Sequence, residues 1–201
     1  MTDVPQYSSL AAERLRIFVA LLTKWNPAIN LVSPASLPQV WTRHVADSAQ
    51  ILAFTGAGPR KWLDLGAGAG FPGVVVALIT ADSPDPVRMT LIESDQRKAA
   101  FLSTVSRETG VPMVIHAERI ENVTPQRADI VSARALAPLG KLCELADRHL
   151  APGGTALFLK GGHYDTEIAE ARKAWAFELE THSSTTDPSG AILKLKDLRR
   201  V

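Results

Sequence analysis

The segment Trp62-Leu63-Asp64-Leu65-Gly66-Ala67-Gly68-Ala69-Gly70-Phe71-Pro72-Gly73 constrains this chain more than any other. A short apolar run enters three alternating glycines, and a proline-led apolar run, 72–80, leaves them. Glycine tolerates positive φ and lets a ligand come close to the backbone. Proline suits the first turn of a helix. The segment therefore reads as strand, tight turn and helix start, the opening unit of a parallel α/β sheet. A glycine-rich turn with no ligand would have the same letters, so function has to be sought in what surrounds it.

The chain divides around this unit. In the first sixty residues, apolar positions recur every three or four residues, as at Leu10, Ile17, Phe18, Leu21, Leu22 and Trp25, making one helix face. Asn26-Pro27 is expected to end that helix, because proline cannot continue the hydrogen-bond ladder. Ser33-Pro34 is a second break, and Ser36 is placed to cap a helix carrying Leu37, Val40, Trp41, His44, Val45, Ile51 and Leu52. Gly56-Ala57-Gly58-Pro59 reads as a linker. Thereafter apolar runs alternate with amphipathic stretches: strands at 61–65, 88–92, 113–117, 128–133 and 155–159, helices at 72–80, 96–109, 139–150 and 166–177. The tail closes as a hairpin, 177–183 and 191–196, around Asp187-Pro188-Ser189-Gly190. The expected fold is α/β: a Rossmann-like, mostly parallel sheet with a C-terminal antiparallel hairpin. Residues 61–201 form one compact unit and residues 1–60 a helical N-terminal extension.

Composition removes several function classes. No purely apolar run exceeds six residues, as at 74–79, against the ~20 of a membrane helix, so no membrane partner is expected. The N-terminal stretch carries Asp3 and Glu13 and lacks a secretion-signal pattern. A single cysteine, Cys143, allows neither an internal disulfide nor a multi-cysteine metal site. A cytoplasmic monomer is the expectation. His44, His116, His149, His163 and His182 form no His-x-x-x-His or His-Glu-x-x-His pattern, so no metal is expected. The net charge of +1, from 22 basic and 21 acidic residues, does not announce a nucleic-acid partner.

In sheets of this kind ligands bind beyond the carboxyl ends of the strands, and the residues there are the candidates. Gly68, Gly70 and Gly73 formally satisfy G-x-G-x-x-G, a weak dinucleotide signal. Asp64, two residues before the first glycine, is poorly placed beside a pyrophosphate and well placed beside a cationic ligand end. No Gly-Lys-Ser/Thr follows, so this is not a P-loop. S-adenosylmethionine, with an ammonium, a sulfonium and no phosphate, fits. Glu93 ends the second strand, where an acid can accept from both ribose hydroxyls; the alternative is a helix-capping carboxylate before Gln96. After the third strand, Ile120 is placed to pack on adenine, with Glu121 beside it, or the two belong to a short surface helix. Arg134 and Lys160 end the fourth and fifth strands, two cations in one row. Each alone reads equally as a solvated end residue; together they favour an anionic or electron-rich substrate.

What the row lacks narrows the chemistry. Ser132-Ala133-Arg134-Ala135 is not the Asp/Asn-Pro-Pro-aromatic turn of exocyclic-amine methylases, and Cys143 lies mid-helix as a core thiol rather than a nucleophile. Guanine N7 has an exposed lone pair and needs no base, so alignment could supply most of the rate; the lack of a base is compatible with N7 chemistry without singling it out. A reductase is the reading from another class, but neither Tyr7 nor Tyr164 begins Tyr-x-x-x-Lys. Arg43 and Asp47, four apart, are able to pair on one helix face, with His44 beside them.

Asn30-Leu31-Val32-Ser33, Arg43-His44-Val45-Ala46-Asp47-Ser48, the segment from Asp64 to Gly73, Ser132-Ala133-Arg134-Ala135 and Leu159-Lys160-Gly161-Gly162 together resemble a known family in order and spacing. It is the bacterial small-subunit rRNA guanine-N7 methyltransferase G family, also called glucose-inhibited division protein B. The resemblance covers about residues 10–162. It implies a class I S-adenosylmethionine-dependent methyltransferase. It also implies, as acceptor, one guanine in the decoding-region loop of 16S rRNA, free or in a small-subunit assembly intermediate. The family's donor contacts carry over to Gly66, Phe71, the Ile120-Glu121 pair and Arg134. Glu93 stands where Asp is common, one methylene longer, and the third-strand segment aligns only with a one-residue shift.

The site expected from all of this has Asp64, Gly66, Gly68, Phe71, Glu93, Ile120, Glu121 and Arg134 on the donor and Arg43, His44 and Lys160 positioning the acceptor, with no catalytic base. A small-molecule methyltransferase is the alternative. Arg134 is expected to serve the cleft without holding the fold.

Overall fold

A computed structural model describes residues 7–56 and 60–201. Its centre is β1 (Lys61–Leu65), flanked on one side by β2 (Arg88–Ile92) and β3 (Val114–His116) and on the other by β4 (Ala128–Arg134) and β5 (Leu150–Lys160). All five are parallel. β6 (Trp175–Ser183) and β7 (Ala191–Arg200) complete the order β3-β2-β1-β4-β5-β7-β6, with β7 antiparallel to β5 and to β6. The strand order reverses between β1 and β4, and the crevice over such a switch point is where this architecture holds ligands.

Side-chain alternation along the buried strands feeds two cores. Trp62, Leu91, Ile130 and Leu157 face one of them, with α3 (Gly73–Thr80), α4 (Gln96–Thr109) and α1 (Ser9–Ile29). Leu63, Leu65, Ile92, Val131 and Phe158 face the other, with α5 (Leu139–His149) and α6 (Tyr164–Ala171). The extension shares the first core. Leu15, Phe18 and Leu22 of α1 are fully buried, each contributing ~1.5–3 kcal/mol. The Phe18 ring lies 5.3 Å from Phe71 of the glycine loop and 6.3 Å from Phe101 of α4.

Several boundaries differ from expectation. α1 runs through Pro27 to Ile29. Proline in the last turn forfeits a single ladder bond, while burial of Ile29 continues the apolar face; left-handed Asn30 (φ 48°) then stops the helix. The second helical run has no Ser36 side-chain cap. It is assembled from a 3-10 turn at Leu37–Gln39, a π-helical stretch at Trp41–Ala46, one α-turn, α2 (Asp47–Ala49), and a 3-10 stretch at Gln50–Phe54. α6 ends at Ala171 rather than 177, because Trp175 and Phe177 alternate into the second core as β6. The expected linker lies partly outside the described residues, which resume at Arg60.

Candidate functional site

A buried polar chain holds the glycine loop. Trp62 Nε1–H donates to Ser132 Oγ at 2.8 Å, and Ser132 donates to Asp64 Oδ1 at 2.6 Å. Asp64 Oδ2 accepts the Gly73 N–H at 3.1 Å. Gly73 has to be glycine: a Cβ there would sit 2.6 Å from Leu91 and 2.8 Å from Asp64. The sequence placed Asp64 against a cationic ligand. The structure corrects this, since its carboxylate is fully buried beneath the loop and is not on the cavity wall. Burial pushes its carboxyl up to about 7, against the hydrogen bonds of Ser132 and Gly73. Asp64 shapes the loop and acts on a ligand only through the field it sets up.

Gly66, Gly68 and Gly70 all have positive φ (62°, 55° and 95°), which a side chain would strain. The loop's amides turn inward. Ala67 N–H bonds Ile92 O, Gly68 N–H bonds Glu93 Oε2 and Gly70 N–H bonds Ala67 O, at 2.9, 2.8 and 2.7 Å. A dinucleotide or P-loop site aims such groups at phosphates; here they are already satisfied. Above the loop is a cavity of about 470 Å³, lined by Gly66, Gly68, Phe71, Glu93, Ile120, Glu121 and Arg134 among others. Glu93 also accepts the Asp95 N–H at 2.8 Å, so each of its oxygens has one protein partner and a remaining lone pair. Ile120 is buried on a 3-10 turn, Ile120–Asn122, and its carbonyl is 3.3 Å from buried His149 Nε2. Glu121 stands exposed at the rim, 3.6 Å from Lys141.

A second cavity, of about 540 Å³, adjoins the first, and Leu31, Val32, Arg134 and Ala135 line both. Arg134 is the dividing post. It donates to Asp47 Oδ2 at 3.2 Å, to the Arg43 carbonyl at 3.3 Å and to His44 Nδ1 at 3.0 Å, with its guanidinium 4.9 Å above the Phe71 ring. His44 also stacks on Phe71 at 5.0 Å. Because arginine only donates, His44 Nδ1 is the acceptor and Nε2 carries the hydrogen, which goes to Ser36 Oγ at 2.9 Å. Burial first, and the Arg134 charge second, hold His44 down to about 4, so the ring is neutral near pH 7.

The expected Arg43–Asp47 pair is not formed; Asp47 pairs with Arg134 instead. Residues four apart do not stack on the wider π turn that carries Arg43 and His44, so Arg43 points toward the second cavity and Asp47 toward β4. Lys160 also differs from expectation. It lines the second cavity, but its ammonium is engaged by Glu167 at 2.7 Å and the Ala137 carbonyl at 2.9 Å. Its charge ties β5 to the turn before α5 and to α6 rather than standing free for an anion.

Two residues that stood in the sequence motifs have roles the sequence did not show. Asp47 Oδ1 gathers Gln50, Ser184 and Thr186 at 2.8, 3.3 and 2.7 Å, which fastens the β6–β7 turn to the extension. Ser132 lies beside Asp64 only because β4 pairs with β1 in that register. No local pattern signals either; both follow from strand order. Cys143 is a buried core thiol that burial raises to about 12.

A family model described as rRNA small subunit methyltransferase G matches residues 11–194. The chain belongs to this family. A ribosomal RNA small subunit methyltransferase G of Cereibacter sphaeroides is 53% identical over 190 residues, covering 94% of this chain and 92% of the relative. One of a Ruegeria species is 47% identical over 189 residues, with coverage of 94% and 92%. Among solved structures, a Listeria monocytogenes protein described as a class I S-adenosylmethionine-dependent methyltransferase superposes with a TM-score of 0.62 at 17% identity, over 94% of this chain and 68% of that one. M. jannaschii TYW2 in complex with AdoMet gives 0.60 at 14% identity, over 79% and 76%. These distant neighbours share the fold. As a member of the methyltransferase G family, the chain is an S-adenosylmethionine-dependent methyltransferase. The first cavity suits a nucleoside better than a phosphate: the Ala67, Gly68 and Gly70 amides are taken by protein acceptors, and Glu93 on its wall keeps a lone pair on each oxygen for hydroxyls.

Proposed function

We propose that the protein transfers a methyl group from S-adenosylmethionine to N7 of a guanine in the decoding-region loop of 16S rRNA, in the cytoplasm, acting as a monomer on the free RNA or on a small-subunit assembly intermediate. The observation that carries this reading is the pair of cavities meeting at Arg134, one over the glycine loop with Glu93 and Ile120 on its wall and one adjoining it. Bound S-adenosylmethionine supplies an electrophilic methyl group on a sulfonium. The chain's own residues do the rest. Gly66 and Gly68 admit the donor against the backbone, Glu93 offers its remaining lone pairs to hydroxyls, and Ile120 gives an apolar face. Arg134 and neutral His44 form a fixed wall on Phe71, and residues between Leu31 and Gln50 of the extension line the acceptor side.

No side chain has to remove a proton, because N7 carries none. Alignment of a lone pair with the methyl group supplies the rate. The test is incubation with radiolabelled donor and total RNA from cells lacking the protein, then mapping of the label. Label at one 16S guanine N7 supports the reading. Label elsewhere in RNA, or only in small molecules, overturns it.

A further inference from the structure

Charge pairing in the acceptor cavity leaves one cation and one carboxylate over. Three basic side chains line it, Arg43, Arg134 and Lys160, and three acidic ones, Asp47, Glu167 and Asp187. Arg134 is committed to Asp47 at 3.2 Å and Lys160 to Glu167 at 2.7 Å. Arg43 and Asp187 make no ion pair with each other or with another described residue, and both are exposed. Asp187 is held in place. Its Oδ1 accepts from Ser189 N–H at 2.9 Å and Ser189 Oγ at 2.8 Å, and its carbonyl accepts the Gly190 N–H at 2.9 Å. Its Oδ2 has no hydrogen-bond partner among the described residues. The neighbouring residue, Thr186, bonds the same Asp47 carboxylate that holds Arg134. The β6–β7 turn is thereby anchored to the boundary with the donor cavity.

We propose that Asp187 reads the Watson–Crick edge of the target guanine through Oδ2. A base methylated inside a cavity is taken out of its stack and recognised on that edge. Guanine carries two donors there, N1–H and the N2 amine, which match a carboxylate. Adenine presents an acceptor at N1 and is repelled. With N7 turned toward the donor cavity, the donor-bearing edge faces away from it, toward the wall that bears the β6–β7 turn. The Ser189 hydrogen bonds, and after them the charge of Arg43, hold Asp187 below the usual carboxylate range, which favours its ionised form. Asp47 is the poorer candidate, because both its oxygens are already occupied. This inference rests on the guanine-N7 reading above.

The test uses the full chain and two 16S transcripts that differ only at the target, guanosine in one and inosine in the other. Inosine keeps N7 and N1–H and lacks the N2 amine. Wild type should lose about tenfold in kcat/KM on going from guanosine to inosine, about 1.4 kcal/mol. Asp187→Ala should lose at least about tenfold on the guanosine transcript and treat the two RNAs within about threefold of each other. Asp187→Asn keeps an acceptor for Ser189, so the turn survives, and should behave like the alanine variant. The inference is overturned if the guanosine-to-inosine ratio is the same in wild type and both variants. Failure of the underlying reading looks different: neither transcript is then methylated at the target by wild type.

Discussion

Replacing Arg134 with alanine tests the structure at the point where the two cavities meet. The loss is countable from its contacts. Asp47 Oδ2 loses its partner, His44 Nδ1 its donor and the Arg43 carbonyl its long bond, and the cation leaves the Phe71 ring. Removing one member of a buried ion pair costs ~3–5 kcal/mol when it strands the other charge. Here Asp47 Oδ1 keeps Gln50, Ser184 and Thr186. The cost should fall to about 2–3 kcal/mol, or roughly 5–10 °C in melting temperature for a chain of this length. From sequence alone the loss of Arg134 was expected to cost little stability; the contacts replace that expectation with a dual role. Methylation should also fall at least about tenfold, more than instability explains at a temperature where the variant stays folded. The assay pairs scanning calorimetry with turnover measured ~20 °C below the variant's midpoint. A melting temperature within about 2 °C of wild type would refute the contact count, and unchanged turnover would remove Arg134 from the site.

Three further outcomes follow from the same geometry. Gly66→Val should abolish donor binding by calorimetry, because φ is 62° and a Cβ would lie 2.5 Å from Leu136, a cavity-lining residue; normal affinity would mean that the loop is not the donor site. His44 sits at about 4 rather than 6.5, so the unfolded chain takes up a proton in that range before the folded one does. Its contribution is present above pH 6.5 and lost as pH falls from there toward 4, roughly 1–2 kcal/mol after discounting for solvent at a half-buried ring. Asp64, raised to about 7, acts oppositely over the same window, so urea titrations of wild type against His44→Gln at pH 7.5 and 4.5 isolate the histidine; equal differences at both pH values would contradict its depressed pKa. Arg43→Ala should weaken RNA binding and flatten its salt dependence by about one counterion while leaving donor binding alone, whereas parallel lines across a salt series would take Arg43 off the RNA.

Much of the fold was legible because local chemistry and global role agreed. Alternating glycines after an apolar run permit little else than a tight strand-to-helix turn, and the structure puts positive φ at all three, Gly66, Gly68 and Gly70. The five parallel strands and the closing hairpin could be read from short apolar runs, since burial on both faces leaves no polar alternation. Boundaries were less legible. Pro27 stays inside its helix and α6 gives way to β6, because packing of Ile29, Trp175 and Phe177 outweighs local preference.

Which residues would line the crevice was visible from strand ends: Gly66, Gly68, Phe71, Glu93, Ile120, Glu121 and Arg134 all face one cavity. What each side chain touches was not. Asp64 is turned under the loop because Ser132 and the Gly73 amide meet it there. Lys160 is neutralised by a glutamate seven residues on, and Asp47 looks to Arg134 because a π-helical turn rotates it away from Arg43. The sequence by itself determined the sheet, the glycine turn and the row of candidates, since those depend on periodicity and backbone freedom. Only the tertiary structure decided which charges are paired and which stay free. Pairing depends on distances of about 3 Å between groups up to 139 residues apart, as between Asp47 and Thr186, and no local pattern encodes those distances.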